Sequence, residues 1–92
     1  MPALSQQIAM ERLGSLSGWK IESKELVKIF TFNDFLGSIA FVNQIAKLAE
    51  DAAHHPDIDI RYNRVRIALT THDAGGLTEK DFALAGKIEK LL

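Results

Sequence analysis

Hydrophobic positions along this 92-residue chain switch between a helical and a strand period, and the switches mark out its elements. Ser5 to Leu13 places Ala9, Met10 and Leu13 at helical spacing behind a serine suited to cap the first turn, and Gly14 predicts the stop. Trp19-Lys20-Ile21-Glu22 then alternates apolar and polar, the period of a half-buried strand. Ser23-Lys24-Glu25 reads as a tight turn into Leu26 to Phe32, a run rich in β-branched and aromatic residues, so the two strands predict a hairpin. From Asn33 the period becomes helical, with Phe35, Ile39, Val42, Ile45, Ala46 and Ala49 on one face and Asn43, Gln44, Lys47 and Asp51 elsewhere. Phe41 and Leu48 fall off that stripe, which predicts apolar surface left for the other helices or for a partner subunit. Pro56 disfavours a helical residue before it, so the helix is expected to end near Ala53 to His55.

Asp57 to Tyr62 alternates strictly, predicting Ile58, Ile60 and Tyr62 on one face, and Asn63 supplies a turn. The returning strand, Arg64 to Thr70, turns Val65, Ile67 and Leu69 inward and its arginines outward. Gly75-Gly76 breaks the chain, and Thr78-Glu79-Lys80-Asp81 resembles a capping box with aspartate in place of the usual glutamate. A last helix is expected to run to Leu92, burying Phe82, Ala85 and Ile88. The order α-β-β-α-β-β-α predicts an α+β fold in which a four-stranded antiparallel sheet is covered by helices on one face. With no linker or repeat in sight, residues 1–92 read as one domain.

Composition removes whole classes of chemistry. There is no cysteine, hence no disulfide, thiolate metal site or cysteine nucleophile. Eleven basic and twelve acidic residues are spread along the chain, which gives no electrostatic case for direct nucleic-acid binding, and Arg61, Arg64 and Arg66 read as a solvated strand face. No apolar run approaches the ~20 residues of a membrane span. The opening Met1-Pro2-Ala3-Leu4-Ser5-Gln6-Gln7 lacks the pattern of a secretion signal, so a cytoplasmic location is expected.

What remains is the placement of the histidines. All three lie where regular elements end, in Ala53-His54-His55-Pro56-Asp57 and in Thr70-Thr71-His72-Asp73-Ala74. Histidine is the side chain that gives and takes protons near neutrality. Glu50 and His54 are four apart, so continued helical geometry would pair them, and a neighbouring carboxylate fixes which ring nitrogen carries the proton. Adjacent His54 and His55 cannot face one ligand without a bend, which Pro56 makes available, and His72 returns from the following hairpin toward the same region. A zinc or iron site is the weaker reading, because adjacent histidines chelate poorly and no helical His-x-x-x-His is present. A serine hydrolase is weaker still, since no serine occupies a glycine-flanked elbow. Solvated loop ends are the plain alternative for any one histidine.

These segments resemble the pterin-4a-carbinolamine dehydratase family. The resemblance rests on Glu50-Asp51-Ala52-Ala53-His54-His55-Pro56, Tyr62-Asn63-Arg64-Val65, Leu69-Thr70-Thr71-His72-Asp73, Gly75-Gly76-Leu77-Thr78, and Asp81 with Leu84-Ala85. Upstream, Gly18-Trp19 and Phe30-Thr31-Phe32-Asn33-Asp34-Phe35 fit as well, so nearly the whole chain is covered. One departure is Ile58, where the family commonly has an aromatic residue.

The resemblance implies a hydro-lyase that dehydrates 4a-hydroxytetrahydropterin to quinonoid dihydropterin, recycling the pterin of aromatic amino acid hydroxylases. It implies His54, His55 and His72 as catalytic residues lining the pterin pocket. Pro56, Thr71, Asp73 and Ala74 would contact the ring, with Glu50, Asp81 and Trp19 completing the surround. Neither metal nor organic cofactor is implied. A homodimer or homotetramer is expected, and animal members that bind a homeodomain transcription factor make a non-catalytic protein-binding module the alternative.

Overall fold

Glu25 to Thr31 sets the frame, because alternate side chains of a strand face opposite ways and this strand pairs on both sides. The computed structural model describes residues 2–92; Met1 lies outside the described residues. The elements run α1 (Gln6–Leu13), β1 (Lys20–Glu22), β2 (Glu25–Thr31), α2 (Phe35–Ala52), β3 (Asp57–Arg61), β4 (Arg64–Leu69), a 3-10 turn (His72–Ala74) and α3 (Glu79–Glu89). The expected α+β architecture is the observed one. The antiparallel sheet has the order β1-β2-β4-β3, so the second hairpin inserts its return strand beside β2.

Leu26 and Phe30 of β2 and Val65, Ile67 and Leu69 of β4 form the sheet's contribution to the core. Phe41 and Ile45 of α2 and Leu84, Ala85 and Ile88 of α3 pack into the same cluster. Burying such a side chain contributes about 1.5–3 kcal/mol. The opposite face of the sheet is bare enough to leave Ile29 46% exposed. Among the described residues no helix is long and apolar enough to cross a membrane.

The last helix, expected to run to Leu92, ends at Glu89, and two expectations about which residues face the core fail as well. Phe41 is buried and Leu48 packs against the core, whereas Phe35 is 48% exposed and Ala46 is exposed. The buried stripe of α2 therefore runs through Ser38, Phe41, Ile45 and Ala49. Its position is set by the aromatic rings Phe30 and Phe32, whose centroids lie 4.8 and 4.9 Å from that of Phe41. Tyr62, expected to point inward, instead occupies the hairpin turn with φ 52° and is 65% exposed. Ser38 Oγ donates to the Tyr62 carbonyl at 2.7 Å and Asn63 Nδ2 donates to the Phe32 carbonyl at 3.0 Å, which ties that turn to α2 and β2.

Candidate functional site

The site begins with the way α2 stops. Ala53 adopts the left-handed conformation, φ 51° and ψ 40°, and the His54 amide bonds back to the Ala49 carbonyl at 3.1 Å. This is the closure that usually recruits glycine, and a residue with a Cβ there costs about 1–2 kcal/mol. The reversal turns His54 toward α3 and leaves His55 facing solvent, with Pro56 leading into β3.

The carboxylate of Asp81 receives His54. Asp81 is the third residue of α3 and is fully buried, and its Oδ1 lies 2.6 Å from His54 Nε2. Its Oδ2 accepts from the Thr78 amide at 2.9 Å and from the Thr71 hydroxyl at 2.8 Å. The expected capping box thus forms: Thr78 caps α3, its Oγ1 accepting from the Lys80 amide at 3.3 Å. Thr71 Oγ1 and Thr78 Oγ1 are themselves 2.8 Å apart. Since an ionised carboxylate only accepts, Nε2 of His54 carries the hydrogen. No bond to Nδ1 of His54 is formed among the described residues, and none of their buried side-chain nitrogens lacks a partner, so Nδ1 is not sealed from solvent although the side chain is only 11% exposed.

The pairing expected between Glu50 and His54 does not occur. Glu50 bonds His55 Nε2 instead, because the helix ends at Ala52 and the left-handed residue breaks the four-residue periodicity. That second pair is open to water, with the side chains 62% and 75% exposed. The first histidine of the doublet therefore has a buried carboxylate and the second a surface one.

Thr71 leads into the remaining histidine. Its backbone bridges Gly76 in both directions, at 3.0 and 3.4 Å, closing a short loop that carries His72, Asp73 and Ala74. His72 and Asp73 are exposed and Ala74 is half-buried. Gly75 serves the loop through its positive φ of 73°. The Leu4 amide bonds the Leu77 carbonyl at 2.7 Å, so the N-terminal segment backs this loop from behind.

Trp19 is placed elsewhere. It is a core anchor, 5% exposed, edge-on to Phe30, and its Nε1 donates to Glu89 at 3.2 Å. Lys28 shares that glutamate, bonds the Ser17 carbonyl at 2.9 Å and lies 4.8 Å from the centre of the Phe30 ring. Of the residues named from sequence, then, His54, Asp81 and Thr71 are joined directly, His55 and Glu50 form a surface pair beside Pro56, and His72, Asp73 and Ala74 share the loop after Thr71. Thr78 was missed as part of this cluster. Its capping role was visible in the sequence, but the convergence of that cap with Thr71 and His54 was not.

Among the described residues no three acidic or histidine side chains converge as a metal-binding group. Two surface depressions, of about 220 and 490 Å³, are lined by other residues: the smaller by Ile29 and the arginines of β3 and β4, the larger by the N-terminal segment, Ile21, Lys24 and Gly75 to Leu77. Chemically, the cluster offers one imidazole nitrogen held from behind by a carboxylate and another free to exchange a proton with a ligand.

Comparison with known proteins places this geometry in context. The sequence profile described as pterin 4 alpha carbinolamine dehydratase matches residues 2–91. A protein of Acidobacterium capsulatum, provisionally named pterin-4-alpha-carbinolamine dehydratase, is 58% identical over 92 residues, covering 100% of both chains. One of the same name from Chloroflexus aurantiacus is also 58% identical over 92 residues, covering 100% of this chain and 99% of the other. Among solved structures, a transcriptional coactivator/pterin dehydratase from Brucella melitensis superposes with a TM-score of 0.93 at 34% identity, over 97% of each chain. A pterin dehydratase-like protein described as a RuBisCO assembly factor in the alpha-carboxysome gives 0.64 at 27% identity, over 79% of this chain and 84% of its own.

Proposed function

This chain belongs to the pterin 4 alpha carbinolamine dehydratase family, and from that premise we propose that it dehydrates 4a-hydroxytetrahydropterin to quinonoid dihydropterin by histidine acid–base catalysis. The reaction breaks the bond from ring carbon to hydroxyl and the adjacent ring N–H bond. A proton joins the hydroxyl, which leaves as water, and the ring nitrogen gives up one, so no electrons or external protons are consumed. The enzyme must supply a proton on one side and accept one on the other.

The observation that carries this reading is His54, whose Nε2 is fixed on buried Asp81 while Nδ1 has no partner among the described residues. His54 and His72 are assigned the proton transfers, and His55, paired with Glu50, the holding of the pterin. Pro56, Asp73 and Ala74 are assigned to the pocket around the ring. The pterin is substrate, and the mechanism invokes no metal or organic cofactor. Recycling of the pterin for an aromatic amino acid hydroxylase, in the cytoplasm, is the setting this assignment implies.

The test is the rate at which 4a-hydroxytetrahydropterin disappears above its uncatalysed background. Catalysis that survives dialysis against a strong chelator is the expected result; loss of rate with recovery on adding zinc or iron would replace the proton-carrier reading by a metal one.

A second reading, a protein-binding module, has its own observation. Phe35 and Leu36 at the start of α2 are 48% and 76% exposed, and Tyr62, whose carbonyl is bonded to α2, is 65% exposed. Apolar surface of this kind suits a partner. We assign it to self-association as a homodimer or homotetramer, checked by light scattering across micromolar concentrations. A monomer throughout that range would return the surface to a partner of another kind.

A further inference from the structure

We infer that Thr71 and Thr78 form a hydroxyl relay that positions His54, so that Thr71 acts through Asp81 rather than by touching the ring of the substrate. This rests on the proposed proton-carrying role of His54.

The direction of each bond follows from counting hydrogens. Thr71 has one hydroxyl hydrogen and Asp81 Oδ2, at 2.8 Å, can only accept it. The hydrogen between the two hydroxyls, 2.8 Å apart, therefore comes from Thr78. Thr78 in turn accepts from the Lys80 amide at 3.3 Å, in the first turn of α3, where amide dipoles point outward. The relay runs from the helix terminus through Thr78 and Thr71 to Asp81, with Thr78 1%, Thr71 9% and Asp81 0% exposed.

Such burial makes the arrangement rigid, because a donor or acceptor left unpaired there has no water to replace the lost partner. Two donors hold Oδ2, the Thr78 amide and the Thr71 hydroxyl, and they fix the plane of the carboxylate. Oδ1 is thereby held with its in-plane lone pairs where His54 Nε2–H meets it, at 2.6 Å. The backbone of His54 is held independently by its bond to Ala49. The relay consequently sets the tautomer: hydrogen on Nε2, lone pair on Nδ1, which has no partner among the described residues. A Thr71 that contacted the ring would do different work, since it would add binding energy without choosing a tautomer.

The experiment reads the tautomer directly from the imidazole ¹⁵N shifts and couplings of His54, together with kcat and KM, in the full chain and in Thr71→Val and Thr71→Ser. The wild-type protein is expected to show the Nε2–H form. Thr71→Val should admit the Nδ1–H form and lower kcat about tenfold with KM within about twofold, while Thr71→Ser restores both. A wild-type His54 in the Nδ1–H form overturns the inference whether or not the valine variant folds. So does a Thr71→Val protein with a raised KM and an unaltered tautomer, which would make Thr71 a substrate contact, or a serine variant as impaired as valine. If the tautomer responds as expected but His54→Ala retains full activity, the relay stands as a positioning device and the acid–base assignment of His54 falls.

Discussion

His54 and His55 are neighbours in sequence, each paired through Nε2 with a carboxylate, and yet their surroundings have little in common. The His54 partner is wholly buried and held by two further donors, whereas the His55 partner is a solvated glutamate on the last turns of α2. An ion pair in water contributes little, because solvent screening and side-chain entropy cancel most of the attraction. A carboxylate with its lone pairs committed to protein donors fixes its histidine in place. The doublet thus separates orientation from accessibility, and what separates the two residues is one backbone conformation at Ala53.

The sharpest way to break the comparison is to remove each histidine. His54→Ala is expected to lower kcat by about 100- to 10,000-fold, the range for loss of a general acid or base, and His72→Ala to do the same. His55→Ala should act mainly on KM. The double variant His54→Ala/His72→Ala should lose less than the product of the singles, because groups acting as a unit are not additive. Steady-state rates corrected for spontaneous dehydration decide it: a His54→Ala enzyme with kcat near wild type would remove the distinction drawn here.

Stability offers the next test, at the two carboxylates. Asp81→Ala strands the Thr71 hydroxyl and the Thr78 amide in the core, and should cost about 3 kcal/mol, read as a lower urea midpoint with unchanged slope. Glu50→Gln touches only the exposed pair and should stay within about 0.5 kcal/mol. Equal losses would show that the burial difference has no energetic weight.

The elements that carry these residues were legible in the sequence, but their partners were not. Alternation in Asp57 to Arg61 and Arg64 to Leu69 located both strands and their inward residues. Thr78 and Asp81 at the right spacing announced the start of α3, because a capping box is a local device. The pairing of His54 was misread because the four-residue rule assumes a helix that continues, and nothing in the type of Ala53 signals a left-handed residue. The stripe of α2 was misread for a different reason. Phe35 and Phe41 both suit an apolar face, and the choice between them was made by Phe30 on β2 and Phe32 just beyond it, which meet the helix only in the folded chain.

Ala53 itself can be tuned. Glycine at this position relieves the strain of φ 51° and is expected to stabilise the protein by up to about 1 kcal/mol while leaving both histidine pairs in place. Valine, whose branched Cβ tolerates that conformation worst, should destabilise it and loosen His54 from Asp81. Thermal melts of the two variants, read beside the ¹⁵N signals of His54, would show whether the backbone reversal or the carboxylate does more to fix the ring. An Ala53→Gly protein that melts below wild type would contradict the strain argument.

The smallest expected effect lies two residues before Asp81, at Glu79, and it repeats the contrast between buried and exposed carboxylates within a single helical turn. Glu79 reaches out from α3 to α1, where Arg12 Nη2 and Nε donate to it at 2.9 to 3.1 Å. Hydrogen bonding and charge from Arg12 hold the Glu79 carboxyl below its ordinary value, and the same contacts raise Arg12. A carboxyl whose folded pKa is depressed favours the folded state above its unfolded pKa, and that contribution disappears as pH falls through the folded value. Arg12 stays charged throughout this acid range, so the titrating partner is Glu79 alone. Both groups are solvated, and salt should screen the pair. Urea midpoints of wild type and Glu79→Gln should therefore differ slightly near neutrality and converge in acid, with the neutral difference shrinking in high salt. A difference that persists undiminished in both acid and salt would mean that Glu79 acts through packing or the dipole of α3 rather than through its bridge to Arg12.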